Sequence, residues 1–206
     1  MATGAITVAG ASRPYPGERA NGDAWAVDWH AGACRIAVID GVGHGSEAAA
    51  AARLAVDALA AQTHLLPPEA LRLCHDALRG SRGATISIAH VAPAQGRLLY
   101  AGVGNVEARL RLGGSWHRLI TYRGIVGVTL RTIRAFELAL APDWLLLLHT
   151  DGVSARLDPG ALPADTRVAP AALAEAILQR WGRASDDATV VVAAPDGDCA
   201  GHPAAP

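Results

Sequence analysis

Three acidic positions in this 206-residue chain share one kind of placement. Asp40 closes the apolar run Ile36-Ala37-Val38-Ile39 and opens Asp40-Gly41-Val42-Gly43-His44-Gly45, which leads into an alanine-rich stretch. Asp151 follows the apolar residues 144–149 and precedes Gly152. Asp186 and Asp187 stand immediately before the apolar residues 188–194. A carboxylate at a strand end sits at the rim of a sheet, accessible yet rigidly held, and three such ends can converge at one rim. Clustered carboxylates repel one another, so the arrangement is costly unless a cation neutralises it. An all-oxygen donor set favours hard ions, Mg²⁺ or Mn²⁺, over zinc. Gly41, Gly43 and Gly45 are expected to let the backbone turn tightly and to bring a carbonyl towards such an ion. Taken alone, the segment also reads as a plain glycine-rich strand-to-helix turn. It is not a P-loop, because no Gly-Lys-Ser/Thr follows, and its glycine spacing is not that of a dinucleotide-binding turn.

The elements that must carry these residues follow from hydrophobic periodicity. Strands are expected over residues 24–29, 35–39, 84–91, 97–103, 106–112, 133–140, 144–149 and 188–194. In the first, Trp25, Val27 and Trp29 share a face; in 106–112, Val106, Ala108, Leu110 and Leu112 oppose Glu107, Arg109 and Arg111, which makes the two arginines a wet face. Helices are expected over 46–62, 68–79 and 170–181. Ser46 is the candidate N-cap of the first, although Ala49 rather than Glu stands three residues on. Leu71, Cys74 and Leu78 line one face of the second, which ends at Gly80. The third opens at Pro170, aligns Leu173, Ile177 and Trp181, and stops at Gly182. Strands adjacent in sequence imply hairpins, and half-buried alternation implies two sheets packed on each other and flanked by helices, not a regular parallel βαβ sheet.

Composition bounds the function. Hydrophobic residues make up 51% of the chain, enough for one sizeable core, so residues 1–195 are expected to form a single domain followed by a flexible tail at 196–206. The net charge of −1, without a basic block, weighs against nucleic acid as a main partner. The first ten residues lack a secretory pattern, and the longest apolar run, 144–148, is too short to cross a bilayer. The cysteines Cys34, Cys74 and Cys199 are odd in number and scattered, which suits a reducing compartment. The expectation is a cytoplasmic protein without a membrane partner.

The combination of motifs is more specific than any one of them. Asp40-Gly41 with Gly43 and Gly45, Thr150-Asp151-Gly152, and Asp186-Asp187-Ala188-Thr189 followed by valines together resemble the PPM family, the metal-dependent PP2C-like protein phosphatases. Asp40-Gly41-Val42-Gly43-His44-Gly45-Ser46-Glu47-Ala48 is similar to the bacterial SpoIIE branch, and the short chain is most like its stressosome phosphatases of the RsbX type. Weaker matches are Gly22-Asp23, Arg82-Gly83-Ala84-Thr85, Gly104-Asn105-Val106 and Gly124-Ile125-Val126-Gly127.

The resemblance implies an α+β fold, a four-layer αββα sandwich of two mainly antiparallel sheets, with two Mn²⁺ or Mg²⁺ ions at one edge. Asp40 matches the carboxylate that bridges both ions, Gly41 the residue that lends a backbone carbonyl, and Asp151 and Asp186 the outer carboxylates. Asp23 matches an acidic position of the first motif. Gly152 and Asp187 lie near the site, and Asp187 stands where many relatives carry Asn. The implied activity is hydrolysis of phosphoserine or phosphothreonine on a signalling protein, a STAS-domain protein in the stressosome branch, by a metal-activated water.

The chain also departs from the family pattern. Val42 occupies the position where eukaryotic relatives place a proton-donating histidine, so His44, two residues on, inherits no acid role by position. The phosphate-gripping arginine of those relatives has no clear match; Arg19 is nearby but reads as a solvated loop charge, and His149 as a packed histidine. Two other readings stay open on sequence: a phosphatase-like module that binds a partner without turnover, and a metal-dependent phosphatase of small molecules.

Overall fold

A computed structural model describes residues 5–162 and 169–196. Cys199 and the expected tail beyond Asp196 lie outside the described residues. Among the described residues, ten strands form two five-stranded sheets. The first runs β2-β3-β4-β5-β8, built from β2 (Asp23–His30), β3 (Ala33–Gly41), β4 (Ala84–Ala92), β5 (Arg97–Val103) and β8 (Phe136–Ala139). The second runs β1-β10-β9-β6-β7, from β1 (Ile6–Arg13), β10 (Ala188–Pro195), β9 (Leu145–His149), β6 (Glu107–Leu112) and β7 (Ser115–Arg118). Every pairing within the two sheets is antiparallel. The described residues also form three α-helices, α1 (Ser46–Ala61), α2 (Pro67–Ala77) and α3 (Pro170–Trp181).

Why the central strands read as unbroken apolar runs is now plain: both of their faces are covered. Ile36, Val38, Val91 and Leu98 of the first sheet meet Leu110, Leu146, Leu148 and Val191 of the second in the middle of the sandwich. The opposite face of the first sheet, with Ala37, Ile39, Ile86 and Ile88, packs on Ala52, Ala55 and Leu59 of α1 and Leu71 and Cys74 of α2. Leu145, Leu147, Val190 and Val192 pack outward on Leu173, Ala174 and Ile177 of α3. The result is the four-layer αββα arrangement expected.

The structure corrects several details. Residues 133–135 are not strand, so the expected 133–140 element begins only at Phe136. Strands β1 and β7 were not legible in the sequence; β1 is built largely of small residues, Ala9-Gly10-Ala11-Ser12, with weak alternation, and β7 has only four residues. Gly45, not Ser46, is the N-cap of α1, at φ +77° and without a side-chain cap. Arg111 is no part of a wet face: it is 4% exposed, beside Trp116 across the β6–β7 ladder. Trp29 does not share the cover of Trp25 and Val27, and is 55% exposed near the end of an edge strand. Arg35, which starts what reads as an apolar run, is fully buried. Its guanidinium pairs with Asp28 at 2.6 Å and donates to the carbonyls of Leu59 and Gln62 at 2.6 and 2.7 Å. A buried cation on the last carbonyls of α1 satisfies them and pins that helix to β3.

Candidate functional site

The antiparallel register of β2 and β3 sets Asp23 directly opposite Asp40. The second sheet delivers the remaining carboxylates. Asp151 lies two residues past the end of β9, and Asp186 and Asp187 immediately precede β10, which pairs with β9. Hydrogen bonds join the two halves, among them the one that Thr150 Oγ1 donates to Asp23 Oδ2 at 2.6 Å. Thr150 in turn is fixed by Thr189, whose N–H donates to Thr150 Oγ1 at 3.0 Å. The end of each sheet therefore contributes acids to one common rim.

Two more of the acids are held by donors of their own. Asn105 Nδ2 donates to Asp151 Oδ2 at 2.7 Å, while Asn105 Oδ1 accepts from Thr85 Oγ1 at 2.5 Å. The backbone N–H of Tyr15, in the β1–β2 loop, donates to Asp187 Oδ1 at 2.7 Å. Asp187 is 4% exposed, and its Oδ2 is buried without a hydrogen-bond partner. A Cβ added at Gly22 would stand 2.7 Å from that oxygen, so the glycine keeps the space beside it.

The glycines have two separate reasons. Gly43 and Gly45 adopt φ of +90° and +77°, where a side chain is strained. Gly41 and Gly152 do not turn in that region; they are tightly packed. A Cβ on Gly41 would collide with the Ala48 carbonyl of α1, and one on Gly152 with the Asp187 carbonyl. The tight approach of α1 to Gly41, rather than a turn at that residue, demands glycine there.

Burial and mutual repulsion dominate the electrostatics. Burial, then the neighbouring charges of Asp23, Asp151, Asp186 and Asp187, pushes the Asp40 carboxyl up to about 8. Burial raises Asp23 to about 7, against the pull of hydrogen bonds from Thr150 and Thr189, with Asp187 and Asp151 adding repulsion. Asp186 is raised as well, by burial and then by Asp151. The mutual influence shows that all five carboxylates share one electrostatic neighbourhood. Such a group is stable at neutral pH only when protonated or faced by cations.

Among the described residues, no three His, Cys, Asp or Glu side chains already form a metal-holding group. The donor set nonetheless fits hard divalent ions: oxygen donors alone, excess negative charge, and a buried Asp187 oxygen that nothing satisfies.

The remaining sequence candidates fall outside this rim. His44 stacks on Tyr15, with ring centroids 4.6 Å apart, and its Nδ1 lies 3.1 Å from Glu18 Oε1. Those contacts account for it as a loop histidine. His149 is buried and donates from Nδ1 to the Thr150 carbonyl at 3.0 Å; burial lowers its pKa, so it is a packed neutral histidine. Arg19 lines a groove of about 700 Å³ between β2 and α1, together with Trp25 and Arg53. Sequence reasoning missed Tyr15 and assigned no positioning part to Thr150 and Asn105. The last two stood beside Asp151 and Val106 in quoted motifs, but Tyr15 acts through its backbone and left no signal.

Comparison with known proteins shows the family and the fold. Residues 30–196 match the family Stage II sporulation protein E (SpoIIE). A chain solved for the bacterial stressosome, a modular system adapted to control secondary messenger signaling, is 32% identical, with a TM-score of 0.86 over 92% of this chain and 99% of its own. RsbX in complex with magnesium superposes with a TM-score of 0.81 at 20% identity, covering 93% of this chain and 96% of its own. The catalytic domain of the serine/threonine phosphatase PstP with two manganese ions gives 0.72 at 20% identity, over 93% and 98%. No curated protein matches at the level of sequence.

Proposed function

The chain belongs to the SpoIIE family of PP2C-like phosphatases, and on that premise we propose that it hydrolyses phosphoserine or phosphothreonine on a regulatory protein. The observation that carries the reading is the convergence of Asp23, Asp40, Asp151, Asp186 and Asp187 at one rim, where burial and then the repulsion of the other four acids lift Asp40 to about 8.

Asp40, the Gly41 carbonyl, Asp151 and Asp186 would hold two Mn²⁺ or Mg²⁺ ions, with Asp23 and Asp187 close behind. Paired divalent ions supply a water of lowered pKa and neutralise charge on phosphoryl oxygens. The chain's own residues supply the geometry. Asn105 orients Asp151. Thr150 orients Asp23 and couples the two sheets. The Tyr15 N–H keeps one Asp187 oxygen engaged. Neither Cys34 nor Cys74 is a nucleophile: both are buried, and burial raises each thiol to about 12.

The partner we infer is a phosphorylated STAS-domain protein of a stressosome-like complex. It is supported by the 32% identity to a chain solved for the bacterial stressosome and by the short domain shared with RsbX. The near-neutral net charge suits recognition of one protein surface rather than general attraction to a polyanion. Among the described residues no helix is long and apolar enough to cross a membrane.

The test is release of phosphate from p-nitrophenyl phosphate and from a phosphorylated STAS protein, in Mn²⁺ and in EDTA. Turnover in Mn²⁺, silence in EDTA and loss of turnover in Asp40→Asn are expected. Unchanged turnover by Asp40→Asn refutes the reading. Hydrolysis of nucleotides or sugar phosphates in preference to phosphoprotein refutes the substrate class.

A further inference from the structure

The acids of the rim come from two different sheets, so a metal site that draws on both depends on how the two sheet ends are held together. Beside Asp23 they are held by a closed circuit of hydrogen bonds. The Asp23 N–H donates to Asn21 Oδ1 at 2.9 Å, and Asn21 Nδ2 donates to Ser12 Oγ at 2.6 Å. Ser12, on β1, stands directly opposite Thr189 of β10, with the two hydroxyl oxygens 2.6 Å apart. The Thr189 N–H donates to Thr150 Oγ1 at 3.0 Å, and Thr150 Oγ1 donates to Asp23 Oδ2 at 2.6 Å. Five residues thus form a ring that returns to the side chain of the residue whose N–H began it.

Counting protons fixes the direction of each bond. Asn21 uses its oxygen on the Asp23 N–H, so its amide nitrogen faces Ser12, and the Ser12 oxygen accepts there. The Thr189 hydroxyl proton goes to the Asp23 carboxyl, beside the one from Thr150. Thr189 has no second hydroxyl proton, so Ser12 donates to it. Every hydroxyl proton of the ring therefore runs towards Asp23, which receives two of them. Thr150 and Thr189 are fully buried, where water does not compete for such bonds. Ser12 is exposed, so the ring can be opened there without touching the core.

We propose that Ser12, Asn21 and Thr189 are positioning residues for the divalent ions: their circuit holds the Asp23–Asp40 pair of the first sheet against Asp151 and Asp186 of the second. Asp40 faces Asp23 across the β2–β3 ladder, Asp151 is the next residue after Thr150, and Asp186 stands three before Thr189. Strain at any link of the ring therefore reaches acids of both sheets. The inference rests on the two-ion reading of the rim and is independent of which phosphorylated substrate is used.

The experiment titrates Mn²⁺ by calorimetry into the metal-free protein, without substrate, for wild type, Ser12→Ala, Asn21→Ala, their double variant, Thr189→Val and Thr189→Ser. Groups behind metal ligands typically account for about ten- to a hundredfold in affinity, and Thr189→Val, which keeps the side chain's shape, is expected to weaken Mn²⁺ binding by that factor. Thr189→Ser is expected to restore it to within a few-fold of wild type. Ser12→Ala and Asn21→Ala should each weaken it several-fold, and the double variant no more than either, because a ring is opened only once. In turnover of aryl phosphate, the Mn²⁺ concentration giving half the maximal rate should rise in parallel while KM for the phosphate ester stays put. The Ser12 and Asn21 variants, outside the core, decide the matter if Thr189→Val does not fold. Wild-type Mn²⁺ affinity in the Ser12 and Asn21 variants, additive losses in their double variant, or a loss that Thr189→Ser does not restore overturns the inference and leaves the phosphatase reading to the Asp40→Asn test. Ring-dependent Mn²⁺ binding in a wild type that releases no phosphate overturns the phosphatase reading and supports this one. A wild type that binds no Mn²⁺ overturns both.

Discussion

Replacing Asp40 by Asn should abolish hydrolysis and at the same time stabilise the metal-free protein. Its carboxyl is raised from an ordinary 3.8 to about 8 by burial and four neighbouring acids. At about 1.36 kcal/mol per unit, ionising it at pH 8 costs the folded state about 5 kcal/mol relative to the unfolded chain. The asparagine amide must also be desolvated, and neighbours relax around a charge, so the recoverable part is smaller, about 2 kcal/mol. For a chain of this size that is a rise of about 4–8 °C in melting temperature in EDTA. The sign follows from the direction of the shift. The contribution of a raised carboxyl is fully present below about 3.8, where both states are protonated; from there to about 8 only the folded state keeps the proton, so stability falls with rising pH and levels off above about 8. Metal-free wild type should therefore melt at progressively lower temperature from about pH 4 to about pH 8 and level off beyond, and Asp40→Asn should show a flatter profile. Added Mn²⁺ should raise the wild-type melting temperature by mass action and leave the variant nearly unmoved. Differential scanning fluorimetry across that pH range, with EDTA and with Mn²⁺, reads every part. A variant that melts at or below wild type in EDTA at pH 8 refutes the argument that carboxylate repulsion strains this rim.

Two further substitutions probe the supports of the site. Asn105→Ala removes the donor that orients Asp151 and should lower kcat by about ten- to a hundredfold with little change in fold, read by steady-state kinetics and circular dichroism; wild-type kcat would show that Asp151 needs no orienting partner. Gly41→Ala drives a methyl into the Ala48 carbonyl and should destabilise the protein by about 2–4 kcal/mol, seen in chemical denaturation; a neutral outcome would mean that α1 can withdraw from the rim.

The two-sheet architecture was legible because its central strands are nearly pure aliphatic runs. The pattern at 35–39, 144–149 and 188–194 exists because sheet neighbours cover one face and helices the other. Helix α3 was read to the residue, since proline opens it and glycine closes it. Edge strands were harder. β1 presents Gly10 under Trp25, where a Cβ would come within 2.6 Å of the ring, so packing rather than alternation selects its residues. Arg111 misled for a related reason: a charged residue on a strand usually faces water, and here tertiary packing beside Trp116 buries it.

Sequence by itself singled out the acids proposed for the site, because Asp40, Asp151 and Asp186 each stand at the end of an unmistakable apolar strand beside glycine or a second acid. It also determined the class of ion that such oxygen donors suit. Only the tertiary structure decided how those acids are held, since Thr150 reaches Asp23 across 127 positions and the Tyr15 N–H reaches Asp187 across 172. Local pattern records what a residue must bury, and it carries no trace of a partner that approaches through a backbone N–H or a short hydroxyl.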